Sequence, residues 1–304
     1  MTQSKWIFVV IITLLFITKN AFAQGCSDAG FCTIDAFKPQ ITDSSETKVN
    51  QLKFGGYYGL ADKSISVIGN HIEFNRQLNH KLGLDIKLTS LAQSGNGIST
   101  FGISDIFLNI KYKASEKTNL ILGAKIPLTD ANKSQNQLTL PMDYQASLGT
   151  FDLILGMGYR FKKIQWVIAI QQPLIQNNNT FNSDEYPENS KLRAFQSTQK
   201  FIRKGDLLLR VSYPISLGPK LLFTPSILPI FHLGNDKFST PNGLVKEIEG
   251  SSGMTFNSNL YLDYEIDEKS VVQLNFGFPS RVRSSRPDGT TRSFIFSLEY
   301  RIKF

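Results

Sequence analysis

The sequence predicts an all-β fold, a transmembrane antiparallel up-and-down β-barrel of about 12 strands. Apolar and polar residues alternate with period two through most of the chain after residue 50, which gives each strand one apolar and one polar face. Connectors alternate between short and long, as in outer-membrane barrels with short periplasmic turns. The chain also ends on an alternating strand closed by Phe304.

The first 23 residues have the pattern of a secretory signal peptide. Lys5 precedes the apolar run Trp6 to Thr18, and the small residues Ala21 and Ala23 follow it. This run is too short for a membrane-spanning helix, and no stop-transfer pattern follows it. Elsewhere the sequence has no apolar run of about 18 residues. We therefore expect residues 1–23 to be removed on export and exclude a helical membrane protein.

Residues 24–50 precede the first strand and do not alternate. They contain both cysteines of the chain, Cys26 and Cys32, and export to an oxidising compartment favours a local disulfide between them. A lipid-modified Cys26 is the alternative, and a metal site would lack further ligands nearby. The segment is either a plug folded into the lumen or a periplasmic tail, and the apolar residues Phe31, Ile34 and Phe37 favour the plug.

The barrel domain is predicted to cover residues 51–304. In its stretch 151–161, Leu155 and Met157 share the apolar face, while Asp152 and Arg160 share the polar face. The twelve predicted strands are 51–60, 65–78, 80–90, 105–113, 120–128, 151–161, 164–171, 205–213, 221–231, 255–264, 271–278 and 293–304. We expect long loops at 91–101, 129–146, 172–200, 232–254 and 280–292.

A hairpin repeat supports this strand order. Tyrosine closes the even strands before short turns, where its apolar ring and polar hydroxyl suit a membrane interface. Proline, which cannot donate to the ladder, closes the next odd strands before the long loops. The residues are Tyr112, Tyr159, Tyr213 and Tyr264, and Pro127, Pro173, Pro229 and Pro279.

The last strand, "SFIFSLEYRIKF", continues the repeat with Tyr300. Its terminal Phe304 resembles the aromatic residue that outer-membrane barrels present to the barrel-assembly machinery, so we predict Tyr300 and Phe304 to form the assembly signal. The strand is expected to pair with the first one, which removes both free sheet edges.

A soluble sandwich or barrel also uses alternation, but two features favour the membrane. Charges lie in mid-strand at Asp85, Lys87 and Arg210, where a wet lumen tolerates them. The opposite faces carry no charge over the nine to eleven residues that a tilted strand needs to cross a bilayer.

Two segments resemble a known family. They are "FGISDIFLNIKYK" (101–113) and "NLILGAKIPLTD" (119–130), and they resemble outer-membrane barrels grouped with phenol meta-cleavage pathways, distant relatives of the long-chain fatty-acid channel. The start "GCSDAGFCTI" (25–34) resembles exported barrels of Bacteroidetes-type bacteria. The resemblance implies passage of small apolar or aromatic molecules. The matching residues are Gly102, Asp105, Lys111, Tyr112, Gly123 and Pro127.

Charged residues on the polar faces are the candidate lumen lining, since lumen residues tune selectivity. Two interpretations stay open for them: contact with a solute, or pairing with one another across strands. As a group they include both positive and negative charges. The candidates are Asp85, Lys87, Asp105, Lys111, Lys125, Asp152, Arg160, Arg210, Asp263, Glu299 and Arg301.

The predicted partners are outer-membrane lipid, lipopolysaccharide, the barrel-assembly machinery and an unidentified small solute. The net charge of +8 is spread along the chain, so nucleic acid is excluded. Four arginines of the last loop are candidates for lipopolysaccharide phosphates, with a solvated loop as the alternative. They are Arg281, Arg283, Arg286 and Arg292.

An enzyme is not expected, although some twelve-stranded outer-membrane barrels are lipases. His71, His80 and His232 lack a nucleophile motif beside them, and no cofactor or metal motif is present in the sequence. The predicted function is a passive channel in the outer membrane of a Gram-negative bacterium for small solutes of apolar or aromatic character. A structural or surface-interaction barrel with a closed lumen is the alternative.

Overall fold

The computed structural model describes Ile34, residues 37–39 and residues 50–304. The predicted signal peptide, Cys26 and Cys32 lie outside the described residues. Within the described part of the chain, no helix has the length and apolar character needed to span a lipid bilayer.

Twelve antiparallel strands form one closed barrel, and each strand pairs with its neighbours in sequence. The predicted all-β antiparallel barrel of about 12 strands is therefore confirmed. The strands are β1 (Asn50–Ala61), β2 (Ser66–Gln77), β3 (Leu82–Gly95), β4 (Ile98–Lys113), β5 (Thr118–Pro127), β6 (Phe151–Phe161), β7 (Ile164–Ile175), β8 (Asp206–Ser212), β9 (Leu221–His232), β10 (Gly253–Glu265), β11 (Ser270–Arg281) and β12 (Arg292–Lys303).

The barrel closes between its first and last strands. β1 and β12 pair antiparallel from Gln51 opposite Lys303 onward, as predicted. At the end of this seam Asn50 N donates to Phe304 O at 3.2 Å, and Phe304 N donates to Asn50 O at 3.0 Å. Every edge of the main sheet is thereby paired, which a strand-built membrane span requires.

Side chains alternate between an apolar exterior and a buried interior. On β6, Leu155 and Met157 are exposed while Ile154 is fully buried. The interface tyrosines are 37–50% exposed on the outside, near the end of the barrel that carries the short turns. An apolar outer surface closed around a ring of strands belongs in a lipid bilayer. These tyrosines are Tyr112, Tyr159, Tyr213, Tyr264 and Tyr300.

The two ends of the barrel differ, and we name them by their connectors. The turn end carries the chain segments 78–81, 114–117, 162–163, 213–220 and 266–269, with Asn50 and Phe304. The loop end carries 62–65, 96–97, 128–150, 176–205, 233–252 and 282–291.

The predicted loop at 91–101 is wrong. Strands β3 and β4 continue through it and are joined by Asn96 and Gly97 alone, whose φ angles are +54° and +79°. An Asn-Gly pair with both residues at positive φ is the preferred two-residue hairpin turn. The polar composition of the segment suggested a loop, although its residues continue the strand pairing as far as Gly95 opposite Ile98.

The prolines lie close to the strand ends predicted for them. Pro127 is the last residue of β5, and Pro173, Pro229 and Pro279 lie within four residues of the ends of their strands. The register shifts beside Pro173 and Pro279, where Leu174 and Ser280 are extra residues, so a bulge in the proline's own strand lies next to the missing N–H.

The long loops pack on one another and cover the loop end. Tyr144 from segment 128–150 lies with its ring centroid 6.0 Å from that of Phe195 from segment 176–205. Lys63 Nζ lies 3.9 Å from the centre of the Phe195 ring. The loops therefore form a second apolar core, separate from the lumen, that consists of Ala61, Ile65, Val67, Ile98, Leu140, Tyr144, Phe181, Tyr186, Leu192 and Phe195.

Candidate functional site

The barrel interior has an apolar half on β4 to β9. Buried side chains from these consecutive strands form one cluster, and Ile295 of β12 packs against it. This differs from the predicted polar lumen, because the inward positions of these strands carry aliphatic residues between their charges. The barrel members of the apolar half are Phe107, Ile121, Ile154, Val167, Ala169, Leu208, Leu228 and Ile230.

The other side of the interior, formed by β10 to β12 and β1 to β4, is charged. Arg301 Nε donates to Glu299 Oε1 at 2.7 Å, and Arg301 Nη1 lies 3.6 Å from Asp263 Oδ1. Lys111 Nζ lies 2.9 Å from Asp85 Oδ1 on the neighbouring strand. Positive and negative side chains alternate around this half and pair with one another.

Two acidic predicted residues lie on strands of the apolar half, Asp105 on β4 and Asp152 on β6. Asp152 is 3.0 Å from Lys125 Nζ, and neither side chain is accessible to solvent. Asp105 accepts hydrogen bonds from Ser104 at 2.8 Å and Ser147 at 2.6 Å. Ser147 belongs to segment 128–150, so Asp105 holds that loop to the barrel wall.

The structure places nine of the eleven predicted lining residues in the buried interior and two at the turn end. Lys111 and Arg160 are the two that are partly exposed, beside the turns. The buried ones are Asp85, Lys87, Asp105, Lys125, Asp152, Arg210, Asp263, Glu299 and Arg301.

The prediction missed three polar interior residues of β1 and β2. Lys53 Nζ lies 3.8 Å from Glu73 Oε1, and Asn75 donates to both Glu73 and Asp85 at 2.8 and 2.7 Å. Their inward positions follow from the same alternation that identified the other candidates. The period-two signal was therefore sufficient to find them.

Four residues that precede β1 lie inside the barrel. Ile34 and Phe37 are 1% and 0% exposed and belong to the apolar cluster of β4 to β9. The Phe37 carbonyl accepts a hydrogen bond from Arg210 Nη1 at 2.6 Å. Lys38 Nζ donates to Glu299 Oε2 at 2.7 Å, so the described residues of this segment contact both halves of the interior.

A cavity of about 110 Å³ lies above this segment, toward the loop end. Its floor contains Lys38, His71, Lys87 and Glu299. Its roof consists of loop residues, among them Met142, Gln145, Ala146, Ser147, Leu148, Asp288, Gly289 and Thr290. The interior therefore encloses a chamber with polar and apolar walls.

The roof is held by hydrogen bonds to the extended β3–β4 hairpin. Gln93 Nε2 donates to Gln145 O at 2.7 Å, and Thr100 Oγ1 donates to Tyr144 O at 2.9 Å. Gly289, at φ +61°, approaches Asp143 so closely that an added Cβ would lie 2.5 Å from Asp143 N. The two loops of the roof thus contact each other directly.

The carboxyl group of Asp143 titrates near neutrality. Burial, with the nearby negative charge of Asp62, raises the pKa of Asp143 to about 7, against the opposing effect of Lys63. In the adjacent loop, burial is outweighed by Arg283 and Arg203, which lower the pKa of Asp288 below its usual range. The roof therefore contains one acid that is neutral below pH 7 and one that stays charged.

An ionic cluster centred on His232 joins the loops at the mouth of the barrel. His232 Nδ1 lies 2.7 Å from Asp206 Oδ1, and Nε2 lies 2.8 Å from Asp236 Oδ1. Arg203 pairs with Asp206 and lies 3.7 Å from Asp288, and Arg283 pairs with Asp288 at 2.9 Å. The cluster unites three loops with the ends of β8 and β9. We name it the mouth cluster: Arg203, Asp206, His232, Asp236, Arg283 and Asp288.

The arginines suggested for lipopolysaccharide have internal partners in three of four cases. Arg283 belongs to the mouth cluster, and Arg286 forms a two-pronged pair with Asp62 at 2.8 and 3.0 Å. Arg292 is buried and donates to the carbonyl of Gly289 at 2.9 Å. Arg281 is exposed. The loop is neither freely solvated nor a four-arginine phosphate site.

His71 and His232 form contacts typical of structural residues. His71 lies 3.0 Å from Glu299, and His232 lies between two aspartates. Among the residues that the structure describes, no group of three or more His, Cys, Asp or Glu side chains is arranged to hold a metal ion.

Comparison with known proteins places this geometry among outer-membrane barrels. No family model and no curated protein sequence matches the chain. An outer membrane channel from Pseudomonas putida F1 superposes with a TM-score of 0.56 at 13% identity, covering 88% of this chain and 100% of that one. NanC porin gives 0.46 at 6% identity, with 84% and 100% covered, and a Pseudomonas aeruginosa FadL homologue gives 0.39 at 8%, with 84% and 90%. The chain therefore has the fold of a Gram-negative outer-membrane β-barrel.

Proposed function

We propose that this protein is an outer-membrane channel for passive passage of small solutes of apolar or aromatic character, with the segment around residues 34–39 acting as a plug. The observation that carries the proposal is the two-sided interior. Solutes with an apolar body would slide along the aliphatic half, while the charged half keeps the path hydrated.

The plug is supported by contacts on both halves. Ile34 and Phe37 pack against aliphatic side chains, and Lys38 pairs with Glu299. The segment precedes β1, so it is tethered at the turn end and its withdrawal leaves the barrel strands unchanged. Opening would then include the loss of the Lys38–Glu299 and Arg210–Phe37 contacts and of the apolar packing.

The alternative is a structural barrel whose lumen stays closed. The observation that favours it is the mouth cluster, whose members are buried and paired across three loops. Under this alternative the loops would bind surface partners and no solute would pass.

Solute flux distinguishes the two functions. The purified full chain and a variant lacking residues 24–49 would be placed in liposomes, and uptake of small aromatic and aliphatic solutes would be followed. Asn50 is kept because it closes the seam with Phe304. A channel predicts slow uptake by the full chain and faster uptake by the variant. An absence of flux from both proteins, each shown to be folded by heat-dependent gel mobility, would reject the channel.

A further inference from the structure

We propose that Gly156 and Ala169 form a slot for an aromatic ring in the lumen wall, with Arg210 beside it to bind the oxygen of the same ligand. Phe37 fills the slot in this structure. The inference rests on the channel function proposed above and names its solute class: arylalkyl carboxylates and amides, in which a carbonyl group follows the ring after two carbons.

The slot arises from two small residues paired across β6 and β7. Gly156 lies opposite Ala169 in the strand register. A Cβ built on Gly156 would lie 2.5 Å from Phe37 Cε1 and 3.0 Å from Phe37 Cζ. Carbon atoms pack at about 3.5–4.0 Å, so the ring occupies the space that a side chain at position 156 would take.

Apart from Arg210, the side chains that surround the slot are apolar and buried. Phe37 is fully buried, and Ile154 and Val167, which are two residues from Gly156 and Ala169 on the same strands, belong to its cluster. Aromatic rings gain much of their binding free energy from such burial. A slot that excludes even one Cβ admits a flat ring more readily than a puckered saturated ring of the same carbon count.

Other inward glycines show why this site differs. Gly55 and Gly69 also give space to rings, but those rings belong to their register partners on the neighbouring strand, His71 and Tyr57. These rings are parts of the barrel wall and stay with it. The ring at Gly156 comes from outside the twelve strands, so the slot can exchange its occupant.

The oxygen site follows from the backbone of the occupant. Arg210 Nη1 donates to the Phe37 carbonyl at 2.6 Å. In phenylalanine two carbons separate the ring from the carbonyl carbon, and 3-phenylpropanoate has the same spacing. Its carboxylate would accept a charge-assisted hydrogen bond from the guanidinium, which is stronger than the bond to a neutral carbonyl.

The test uses the full chain with Phe37→Ala, which vacates the slot. Calorimetric titration in detergent would compare 3-phenylpropanoate with 3-cyclohexylpropanoate, which differs only in ring saturation. We expect the Phe37→Ala protein to bind the aromatic acid at least about fivefold more tightly than the saturated one. The wild type is expected to bind it at least about tenfold more weakly than Phe37→Ala, because Phe37 competes.

Second substitutions in the Phe37→Ala background locate the binding. Gly156→Leu and, from the other side, Ala169→Ile should each abolish the preference for the flat ring, and Arg210→Gln should weaken both acids. Gly158→Ala is the matched control, since its Cβ would meet only the Trp166 carbonyl, at 3.9 Å. Heat-dependent gel mobility confirms folding of each variant.

Two outcomes overturn the slot: equal affinity for the two acids, or a flat-ring preference that survives both Gly156→Leu and Ala169→Ile. Binding in detergent requires no flux. A ring preference without any solute uptake in liposomes would therefore reject the channel and keep the slot, whereas uptake without ring preference would do the reverse.

Discussion

Lys38 and Glu299 lie 261 residues apart in sequence, yet their Nζ and Oε2 atoms are 2.7 Å apart inside the barrel. Glu299 also contacts His71 at 3.0 Å and Arg301 at 2.7 Å. One carboxylate on the last strand thus ties the residues before β1 to the charged half of the interior. This contact is the natural point at which to test a plug.

Lys38→Gln is expected to open the channel more often. A hydrogen bond to a charged group contributes about 1.5–3 kcal/mol, and each 1.4 kcal/mol is about tenfold in an equilibrium constant. Glu299 keeps two other partners, so we expect an increase of about tenfold in the ratio of open to closed time. Single-channel recordings in planar bilayers measure this ratio.

The matched control for that prediction is Lys113→Gln. Lys113 Nζ lies 2.8 Å from Glu116 in an exposed pair at the turn end, where an ion pair contributes little. The control should keep the wild-type ratio. Equal open times in Lys38→Gln and Lys113→Gln would contradict the plug.

The roof should loosen as pH rises toward 7 because of Asp143. Its pKa is raised to about 7 in the folded protein, from an ordinary value of 3.8. Between those values the folded state keeps a proton that the unfolded state has lost, so stability falls as pH rises and levels off above pH 7. Asp143→Asn should remove this pH dependence.

Limited proteolysis of the loop end at pH 5, 6 and 7.5 would show the effect. The wild type should be cleaved faster at the higher pH in the segment 128–150, and Asp143→Asn should be cleaved at one rate throughout, once the protease rate is corrected for pH with an unfolded substrate. If the cleavage rate of Asp143→Asn rises with pH as steeply as that of the wild type, the pH dependence belongs to another group.

His232→Ala should destabilise the barrel mouth. The substitution leaves Asp206 and Asp236 each with one lost partner in a buried site, and an unsatisfied buried group costs about 1–3 kcal/mol. We expect the folded band on unboiled gels to disappear several degrees lower than in the wild type. His80→Ala, in an exposed turn, is the control and should leave that temperature unchanged. A shift in both variants, or in neither, would show that the mouth cluster does not stabilise the barrel.

The strand pattern was predictable from sequence because lipid imposes one rule on the strands, namely that outward side chains are apolar. Leu155 and Met157 face outward and Asp152 inward for that reason, and the same rule predicted the tyrosines above the turns. This alternation repeats every second residue within a single strand, so it can be recognised without knowing which distant residues the strand contacts. It failed at 91–101, where the exposed positions include the polar residues Ser94 and Ser99 and the apolar alternation is interrupted.

Partners across the interior were not predictable by the same means. Alternation shows that Glu299 and its near neighbour Arg301 both point inward, but Lys38 and His71 meet Glu299 from positions whose separation in sequence carries no signal. The same holds for Arg286 and Asp62, which are 224 residues apart. Inward charges in a closed barrel are neutralised by oppositely charged groups on the strands and loops that face them. Only the folded geometry specifies which groups these are.

Deletion of Phe304 should impair assembly more than any substitution of a lumen residue. Its side chain is 62% exposed, so it contributes little packing to the finished barrel, while its backbone forms the last two hydrogen bonds of the seam with Asn50. Phe304→Ala keeps those backbone bonds and removes only the ring. If the ring is read by the assembly machinery, both variants should leave unfolded protein in the periplasm, with at least about a tenfold drop in the heat-modifiable form in outer-membrane fractions.

Phe161→Ala provides the matched control, since Phe161 is 50% exposed on the same outer surface and also lies at the turn end. Its loss removes similar apolar area from the lipid interface without altering the C-terminal residue. Refolding of the purified variants into detergent separates the two causes: Phe304→Ala should refold as well as the wild type in the absence of the assembly machinery. Two results would mean that the terminal ring acts through barrel stability and is not a recognition signal. One is poor refolding of Phe304→Ala, and the other is a drop in the heat-modifiable form of Phe161→Ala in cells as large as that of Phe304→Ala.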